Sequence, residues 1–573
     1  MKEIVGQLTL RGVIIGCCGC AIVTASSAYV ALRVGALPWP IIFAAIVSLY
    51  FLKVVSRNSS TLNEANVTHT IMSAGAMVAG GLAFTIPGAW MLGFADEISL
   101  VEMSFIALAG VILGLAGTCI LRRHFIEDAD LRFPIGEAAA RALIAGESGD
   151  GTGRMLFGSM GVAGLFAFLR DGLSSVPSML AALPIPGVSF GIYASPMMLA
   201  VGFLVGTGSV AVWFAGALLA NFGIVVGGTH FGFFDIPAAQ GIVSSLGMGV
   251  MMGSGFAVVT KNILPRSVSL VRRRASEPAS KLGGKLVFRL FAKGPACAGS
   301  SQLSTAGALV LGATAVALLV SMLLDLGPAV SVFVVLMSFV TCAMSAQSVG
   351  QTGIDPMEIF GLIVLLLVAT FADVAKVQLF FIAAIIAVAC GLAGDVMNDF
   401  KAGHIIGTSP RAQIAGQAVG GVVGAVVAVS TMHVLLSVYG AEAFGPQGSF
   451  AAAQASVVAT MISGVPHAGA FAVGLAAGFT LYLAGIPSMM FGLGIYLPFY
   501  MSLTAFLGAL CKMAFDAAIS HRLKKRGLSG DELRERKALS EESGLIVASG
   551  LLGGESVVGI VLAMAVAFAG LLG

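Results

Sequence analysis

Charged residues are scarce in this sequence. Asp, Glu, Lys and Arg make up 10% of the 573 residues, whereas a soluble globular domain carries roughly a quarter. Hydrophobic residues make up 58%, and the mean hydropathy is +0.99. This composition excludes a large water-soluble domain and predicts an all-α, polytopic integral membrane protein.

Motifs for ATP hydrolysis and for metalloprotease chemistry are also absent. No G-x-x-x-x-G-K-[ST] loop occurs, since the nearest string, Gly283-Gly284-Lys285, lacks the first glycine and the hydroxyl residue. No H-E-x-x-H occurs either, and the eight cysteines lack the paired spacing of a disulfide framework. We therefore expect no enzyme activity, cofactor, metal centre or nucleic-acid partner. An ion gradient remains as the energy source.

Long apolar runs mark the candidate transmembrane helices. A span needs roughly 20 apolar residues, which gives about 16 spans, or 15 to 17. The runs lie at 9–35, 39–56, 66–93, 100–122, 153–170, 195–222, 236–262, 305–325, 327–348, 357–373, 376–395, 411–438, 466–485, 487–513 and 543–571. Two shorter segments, 134–147 and 449–464, either cross the membrane or form half-helices.

The two halves of the chain resemble one another. We predict a first transmembrane repeat at 1–262, a basic cytoplasmic linker at 263–304, and a second repeat at 305–573 with an extra leading helix. Three sets of residues recur in order, and the extra helix would place the repeats in opposite orientation, as in many secondary transporters. The matched sets are Ser27-Ala28, Gly35, Pro38 and Ile41 with Ser345-Ala346, Gly353, Pro356 and Ile359; Pro134, Gly136 and Ala139-Ala140 with Pro446, Gly448 and Ala451-Ala452; and Met197-Met198, Gly202, Phe214 and Gly216-Ala217-Leu218 with Met489-Met490, Gly494, Phe506 and Gly508-Ala509-Leu510.

Basic residues mark the cytoplasmic side, because cytoplasmic loops carry an excess of Lys and Arg. They gather at Lys53/Arg57, Arg122/Arg123, Arg170, the 261–293 linker, Lys401/Arg411 and the 521–537 loop. All of them fall on one side only if both short segments cross the membrane.

An ionisable side chain within a span is costly and is therefore a functional candidate. Asp395 and Asp399 are four residues apart, which places them on one helix face. They either exchange protons or pair with nearby cations such as Lys401, or they belong to an ordinary cytoplasmic helix end. Glu555 lies deep in the last apolar run, where it is a proton or substrate-amine site, or a neutral Glu hydrogen-bonded between helices.

Four further residues are candidates for the substrate path or the coupling site. Asp355 precedes Pro356 at a helix break, where freed backbone groups could bind an ion or ligand, or it lies in a short loop. Glu64 and His69 open the third span and either line the path or form a polar helix start. Tyr496 precedes Pro498, which should kink its span, and it either stacks on ligand or supports the kink.

At these residues the sequence resembles the oligopeptide transporter (OPT) family, in particular its prokaryotic and yellow-stripe-like branch. The resemblance covers nearly the whole chain and is carried by Leu8–Val13, Ser73-Ala74-Gly75, Thr352–Pro356, Gly394–Gly403, Gly494–Pro498 and Ala548–Ser556. It implies about sixteen helices and proton-coupled import of small peptides, peptide-like compounds or metal chelates. The sequence departs from the family at Ala76, where relatives tend to have Glu, and at Asn398 and His404, where Gln and Tyr are expected.

The sequence thus predicts a proton-coupled symporter that imports small oligopeptides across a bacterial cytoplasmic membrane. Its expected partners are the substrate, protons and lipid, and it could form an oligomer. A metal-chelate transporter of the same fold is the alternative. A passive channel and a membrane-embedded enzyme are less favoured.

Overall fold

The computed structural model describes residues 6–35, 37, 40–56, 60–129, 131–147, 152–258, 260–261, 312, 314–315, 318, 322, 324–352, 355–446, 448–464, 467–526 and 530–572. The predicted linker at 263–304 and most of the predicted helix at 305–325 lie outside these residues.

The first half of the chain is helical except for one β-hairpin. Its elements are α1 (Leu10–Val34), α2 (Pro40–Ser56), α3 (Leu62–Ala83), α4 (Ile86–Met91), α5 (Leu100–Arg122), α6 (Pro134–Glu147), α7 (Thr152–Ala167), β1 (Met179–Ile185), β2 (Val188–Tyr193), α8 (Pro196–Val205), α9 (Thr207–Leu218) and α10 (Ile236–Val258). Helices α5, α7 and α9 continue as π-helical turns at Arg123–Asp128, Phe168–Gly172 and Leu219–Gly227.

The described part of the second half is also helical. Its elements are α11 (Pro328–Thr352), α12 (Met357–Phe371), α13 (Lys376–Ile406), α14 (Pro410–Tyr439), α15 (Ala453–Ser463), α16 (Ala468–Leu483), α17 (Ser488–Tyr496), α18 (Phe499–Lys525) and α19 (Gly530–Leu572).

Local sequence signals set many of the helix ends. Thr9 caps α1 by accepting a hydrogen bond from the Gly12 N–H, and Gly35 ends this helix at a φ of +71°. Gly206, at a φ of +91°, separates α8 from α9, because a positive φ interrupts a helix and is readily adopted by glycine. The predicted span at 195–222 is therefore two helices.

The helices confirm a polytopic membrane protein. Among the described residues, ten helices are long and apolar enough to cross a membrane, and five shorter apolar helices accompany them. The short segments predicted at 134–147 and 449–464 form α6 and α15, of 14 and 11 residues. The hairpin β1–β2, which pairs in antiparallel register, was not predicted.

Helix α13 lies at the centre of the bundle. It packs against α3, α5, α6, α11 and α12, and its residues are buried almost continuously from Leu379 to Gly403. The predicted span ended at residue 395, but α13 continues for eleven more residues to Ile406. The reason is that Asp395, Asp399 and Lys401 are enclosed by neighbouring helices instead of meeting solvent at a helix end.

Glycines allow the closest helix crossings. A Cβ at Gly75 of α3 would lie 2.9 Å from the Cα of Gly424 in α14, so the two backbones are in direct contact. Small residues at such crossings are typical of membrane helix packing, where van der Waals contact replaces the hydrophobic drive for association.

The third predicted repeat match shows reciprocal packing. A Cβ at Gly202 would collide with the carbonyl oxygen of Ala505, and one at Gly494 would collide with that of Trp213. The matched residues Phe214 and Phe506 stack on each other, with ring centroids 4.3 Å apart. Residues that the match makes equivalent therefore form reciprocal contacts between α8–α9 and α17–α18, and the duplication stays a prediction. The domain boundaries themselves remain a prediction.

The basic residues used to predict orientation differ in their surroundings. Arg122, Arg170 and Lys401 are buried, and therefore they are weaker markers of a loop than exposed cations. Arg122 nevertheless shares a pocket with Gln7, His404 and Pro410. The starts of α1 and α14 and the ends of α5 and α13 therefore lie at one end of the bundle, which is the predicted cytoplasmic end.

Candidate functional site

A central cavity of about 680 Å³ lies among the helices of both halves. Its wall includes residues at several interruptions of helical structure: Gly35, Pro356, Gly485 and Pro487. Non-helical backbone at membrane depth is tolerated where it lines a cavity. We call this space the central cavity.

Three acidic residues from neighbouring elements line the central cavity: Asp355, Glu358 and Asp395. Glu358 and Asp395 are 5% and 3% exposed. The carboxylate oxygens of Asp355 and Asp395 are buried, and they have no hydrogen-bond partner among the described residues. Unpaired buried carboxylates are costly, so these two residues are well suited to receive a proton or a cationic ligand group.

Local backbone features bring these acids together. Asp355 precedes Pro356, and Glu358 lies in the first turn of α12. Gly394 allows Asp355 to approach α13, because a Cβ at Gly394 would overlap the Asp355 carboxylate. Gly391, one turn earlier, similarly makes room for the Met357 side chain.

The first turns of four helices also reach the central cavity. Ile135 of α6, Glu358 of α12, Gln454 of α15 and Ser488 of α17 all line its wall. The first N–H groups of a helix lack partners within the helix and carry a partial positive charge. The cavity therefore combines carboxylates with groups that favour an anion.

Asp399 lies one turn beyond Asp395 and belongs to a second polar group. It accepts hydrogen bonds from Ser73 Oγ of α3, at 3.0 Å, and from Gln417 Nε2 of α14. Its Oδ1 lies 3.6 Å from His69 Nδ1, and both side chains are fully buried. The structure thus brings three of the predicted candidates, Asp395, Asp399 and His69, into one region.

Asn398 and Lys401 complete this segment of α13. Asn398, where the family resemblance suggested Gln, lines the central cavity and accepts a hydrogen bond from the Gly136 N–H of α6 at 3.2 Å. Lys401 is 7% exposed, and it is not among the described residues that line the cavity. Ala76, another departure, is buried in α3.

Glu555 forms an ion pair away from the central cavity. It is 1% exposed and lies 2.9 Å from Arg170 Nη2. Ser195 Oγ, at 2.9 Å, and the Met197 N–H, at 2.8 Å, also donate to its carboxylate. Glu555 is thus held at the start of α8, where a helix N-terminus favours a negative charge. This charge is paired, unlike the carboxylates of Asp355 and Asp395.

Glu64 and Tyr496 have local partners. Glu64 accepts two hydrogen bonds of 2.7 Å from Arg11, which join α3 to α1. Tyr496 donates to Ser456 Oγ at 2.6 Å, and its helix ends there, immediately before the break at Leu497-Pro498. The kink predicted at this proline is a complete break between α17 and α18.

Sequence reasoning missed Glu358 and Gln454 as cavity residues. Glu358 lies only three residues after Asp355 in the sequence. Its position in the first turn of a helix that follows an Asp-Pro break is a sequence signal that could have identified Glu358. Gln454 offered no comparable signal, because its segment reads as a short apolar helix.

A polytopic bundle that encloses a cavity with buried carboxylates and helix breaks defines a membrane transport protein. Comparisons with known proteins agree. The family described as "OPT oligopeptide transporter protein" matches residues 7–278 and 298–566, and therefore the chain belongs to the OPT family.

Two relatives illustrate this membership. A Haemophilus influenzae protein named "Putative oligopeptide transporter" is 25% identical over 618 residues, covering 94% of this chain and 92% of that protein. An Oryza sativa subsp. japonica protein named "Probable metal-nicotianamine transporter YSL9" is 31% identical over 119 residues, covering 20% of this chain and 17% of that protein.

Proposed function

We propose that the protein is a proton-coupled symporter that imports small zwitterionic peptides through the central cavity. The observation that carries this proposal is the pair of buried, unpartnered carboxylates, Asp355 and Asp395, on the cavity wall. The full-length relative named as an oligopeptide transporter supports the substrate class. We expect the protein to act in a bacterial cytoplasmic membrane.

The size of the central cavity suits a small solute. Small-molecule sites typically enclose about 300–1,000 Å³, and this cavity measures about 680 Å³. The substrate's ammonium group would be bound by Asp355 and Glu358. Its carboxylate would be bound near the N-termini of α15 and α17, as half-helix ends bind anionic groups in other transporters.

Asp395 is the proposed proton carrier. It faces the cavity, and it lies on the same face of α13 as Asp399, one turn away. Neutralising Asp395 with a proton would lower the cost of its burial, while a bound ammonium would do the same for Asp355. Arrival of substrate and proton together would therefore favour the loaded cavity over the empty one.

A metal-chelate substrate is the second candidate. The local match to a protein named as a metal-nicotianamine transporter favours it. A chelate would present its charged groups together with a metal ion, so the cavity acids would contact either ammonium groups or the cation of the complex. Competition between a peptide and a chelate for uptake would separate the two substrates.

The test is uptake of a labelled peptide library into proteoliposomes, with and without an inward proton gradient. We expect saturable, gradient-dependent accumulation by the wild type and loss of accumulation in Asp395→Asn. The matched control is Asp373→Asn, which changes an exposed aspartate before α13 and should leave uptake unchanged.

Other outcomes would contradict the proposal. If no peptide accumulates under any gradient, the peptide assignment is wrong, and metal chelates are tested next. Uptake that responds neither to the gradient nor to Asp395→Asn would indicate a passive pore.

A further inference from the structure

A second pocket lies beyond Asp399, at the end of the bundle where α13 meets α14. It has a volume of about 330 Å³ and is lined by Gln7, Arg122, Gly403, His404, Gly407, Thr408, Ser409 and Pro410. His404 and Gly407 are exposed, so this pocket opens at the protein surface. We call it the α13–α14 pocket.

The two cavities are close along α13. Asp395 lines the central cavity and Gly403 lines the α13–α14 pocket. These two residues are eight positions apart, which corresponds to about 12 Å at a helical rise of about 1.5 Å per residue. Asp399 lies midway.

Polar side chains of α3 follow the same interval. At the α13–α14 pocket, Thr408 Oγ1 accepts a hydrogen bond from Asn66 Nδ2 at 3.0 Å and donates to Asn63 Oδ1 at 2.9 Å. His69 follows Asn66 by one helical turn, and Ser73 follows His69 by another. The series ends where Ser73 and His69 meet Asp399.

Several polar atoms along this interval are buried and have no hydrogen-bond partner in the described part of the chain. They are Asn66 Oδ1, Asp399 Oδ1, Gln417 Oε1 and both carboxylate oxygens of Asp395. Buried polar atoms are rarely left unsatisfied, and ordered water commonly satisfies those that protein groups do not reach. A row of such atoms between two cavities is the pattern of a hydrated path, whereas a purely structural network would satisfy its members mutually.

We propose that this row is a proton relay, which runs from Asp395 through the His69–Asp399 pair to the α13–α14 pocket. The relay rests on the proposed function, because it supplies the exit for the coupled proton. Chains of Asp, Glu and His serve this purpose in membrane pumps and transporters.

Each transfer conserves the proton. Asp395 releases its proton to Asp399, and Asp399 passes it to one imidazole nitrogen of His69. His69 then gives up a proton from its other nitrogen to a water bound at Asn66 Oδ1, the atom of Asn66 that has no partner among the described residues. That water releases it into the α13–α14 pocket, at the predicted cytoplasmic end.

The test compares two transport modes in proteoliposomes for His69→Gln. Exchange of labelled for unlabelled peptide requires no net proton movement, whereas accumulation driven by a proton gradient requires it. We expect exchange near the wild-type rate and a fall of about 100-fold in the initial rate of gradient-driven uptake, the size typical of removing a positioned proton-transfer group. His433→Gln, at an exposed position of α14, is the control and should preserve both modes.

Thr408→Val provides a second variant at the other end of the relay. It keeps the side-chain shape and removes the hydroxyl that bridges Asn63 and Asn66, and it should also impair gradient-driven uptake while exchange persists. Thr370→Val, at an exposed position of α12, is its control. If His69→Gln fails to fold, as shown by loss of exchange, the relay is tested with Thr408→Val alone.

The outcomes separate the relay from the transport function. Gradient-driven uptake at the wild-type rate in a variant that also exchanges peptide would overturn the relay and leave the symporter intact. A wild-type protein that exchanges peptide but never accumulates it under a gradient would overturn proton coupling and the relay together.

Discussion

Glu555→Gln should destabilise the protein without uncoupling transport. Glu555 accepts hydrogen bonds from Arg170 Nη2, from the Met197 N–H and from the Ser195 hydroxyl, whose Oγ lies 2.9 Å from both carboxylate oxygens of Glu555. Removing one partner of a buried ion pair costs about 3–5 kcal/mol. Asp171 lies 2.6 Å from Arg170 Nη2 and would still compensate the arginine, so we expect a loss near the lower limit, about 3 kcal/mol.

The assay is thermal unfolding of the purified protein in detergent, alongside peptide exchange and gradient-driven uptake at low temperature. Asp171→Asn is the matched control, because it removes the other carboxylate that binds Arg170, and at 34% exposure water can replace part of this interaction. Glu555→Gln should lower the unfolding midpoint much more than Asp171→Asn, while the folded fraction retains both transport modes. A Glu555→Gln protein with the wild-type midpoint and no gradient-driven uptake would refute this reasoning and place Glu555 in proton coupling.

Two glycine substitutions test the packing that shapes the site, with Gly158→Ala as a shared control, since a Cβ at Gly158 would meet no atom within 4 Å. Gly394→Ala should weaken peptide binding, because its Cβ would overlap the Asp355 carboxylate; a wild-type half-saturation concentration for uptake would contradict this. Gly75→Ala should destabilise the protein by about 1–3 kcal/mol, as overpacking does, because its Cβ would overlap Thr24 Oγ1 and would lie 2.9 Å from the Cα of Gly424. An unchanged unfolding midpoint would show that these helices can move apart.

The sequence predicted the membrane class and most helices, because hydropathy over twenty residues reports directly on burial in lipid. It failed where a helix is interrupted or extended by tertiary contacts. Gly206 breaks an apolar run that reads as a single span, and α13 continues past Asp395 because other helices cover its polar residues. Neither effect is visible in local hydropathy.

The sequence predicted which charged residues are buried, but it did not predict their ion-pair or hydrogen-bond partners. The cost of burying charge singled out Asp395, Asp399 and Glu555 alike. Only the fold distinguishes them, because Arg170 is far from Glu555 in the sequence yet forms an ion pair with it. Contacts between such distant segments have no local sequence pattern.

The pairing of buried charges separates structural groups from those suited to transport. The desolvation cost of a paired charge such as Glu555 is offset by fixed protein groups. Separating Glu555 from these groups would therefore be costly. Asp355 and Asp395 lack such partners in the described structure, and a proton or ligand can supply what the protein does not. A ligand shifts a conformational equilibrium only through differential affinity for its states. Unpaired carboxylates in a cavity provide that difference. We therefore expect the coupling free energy to arise at Asp355 and at Asp395 of α13, and not at the buried ion pair of α19.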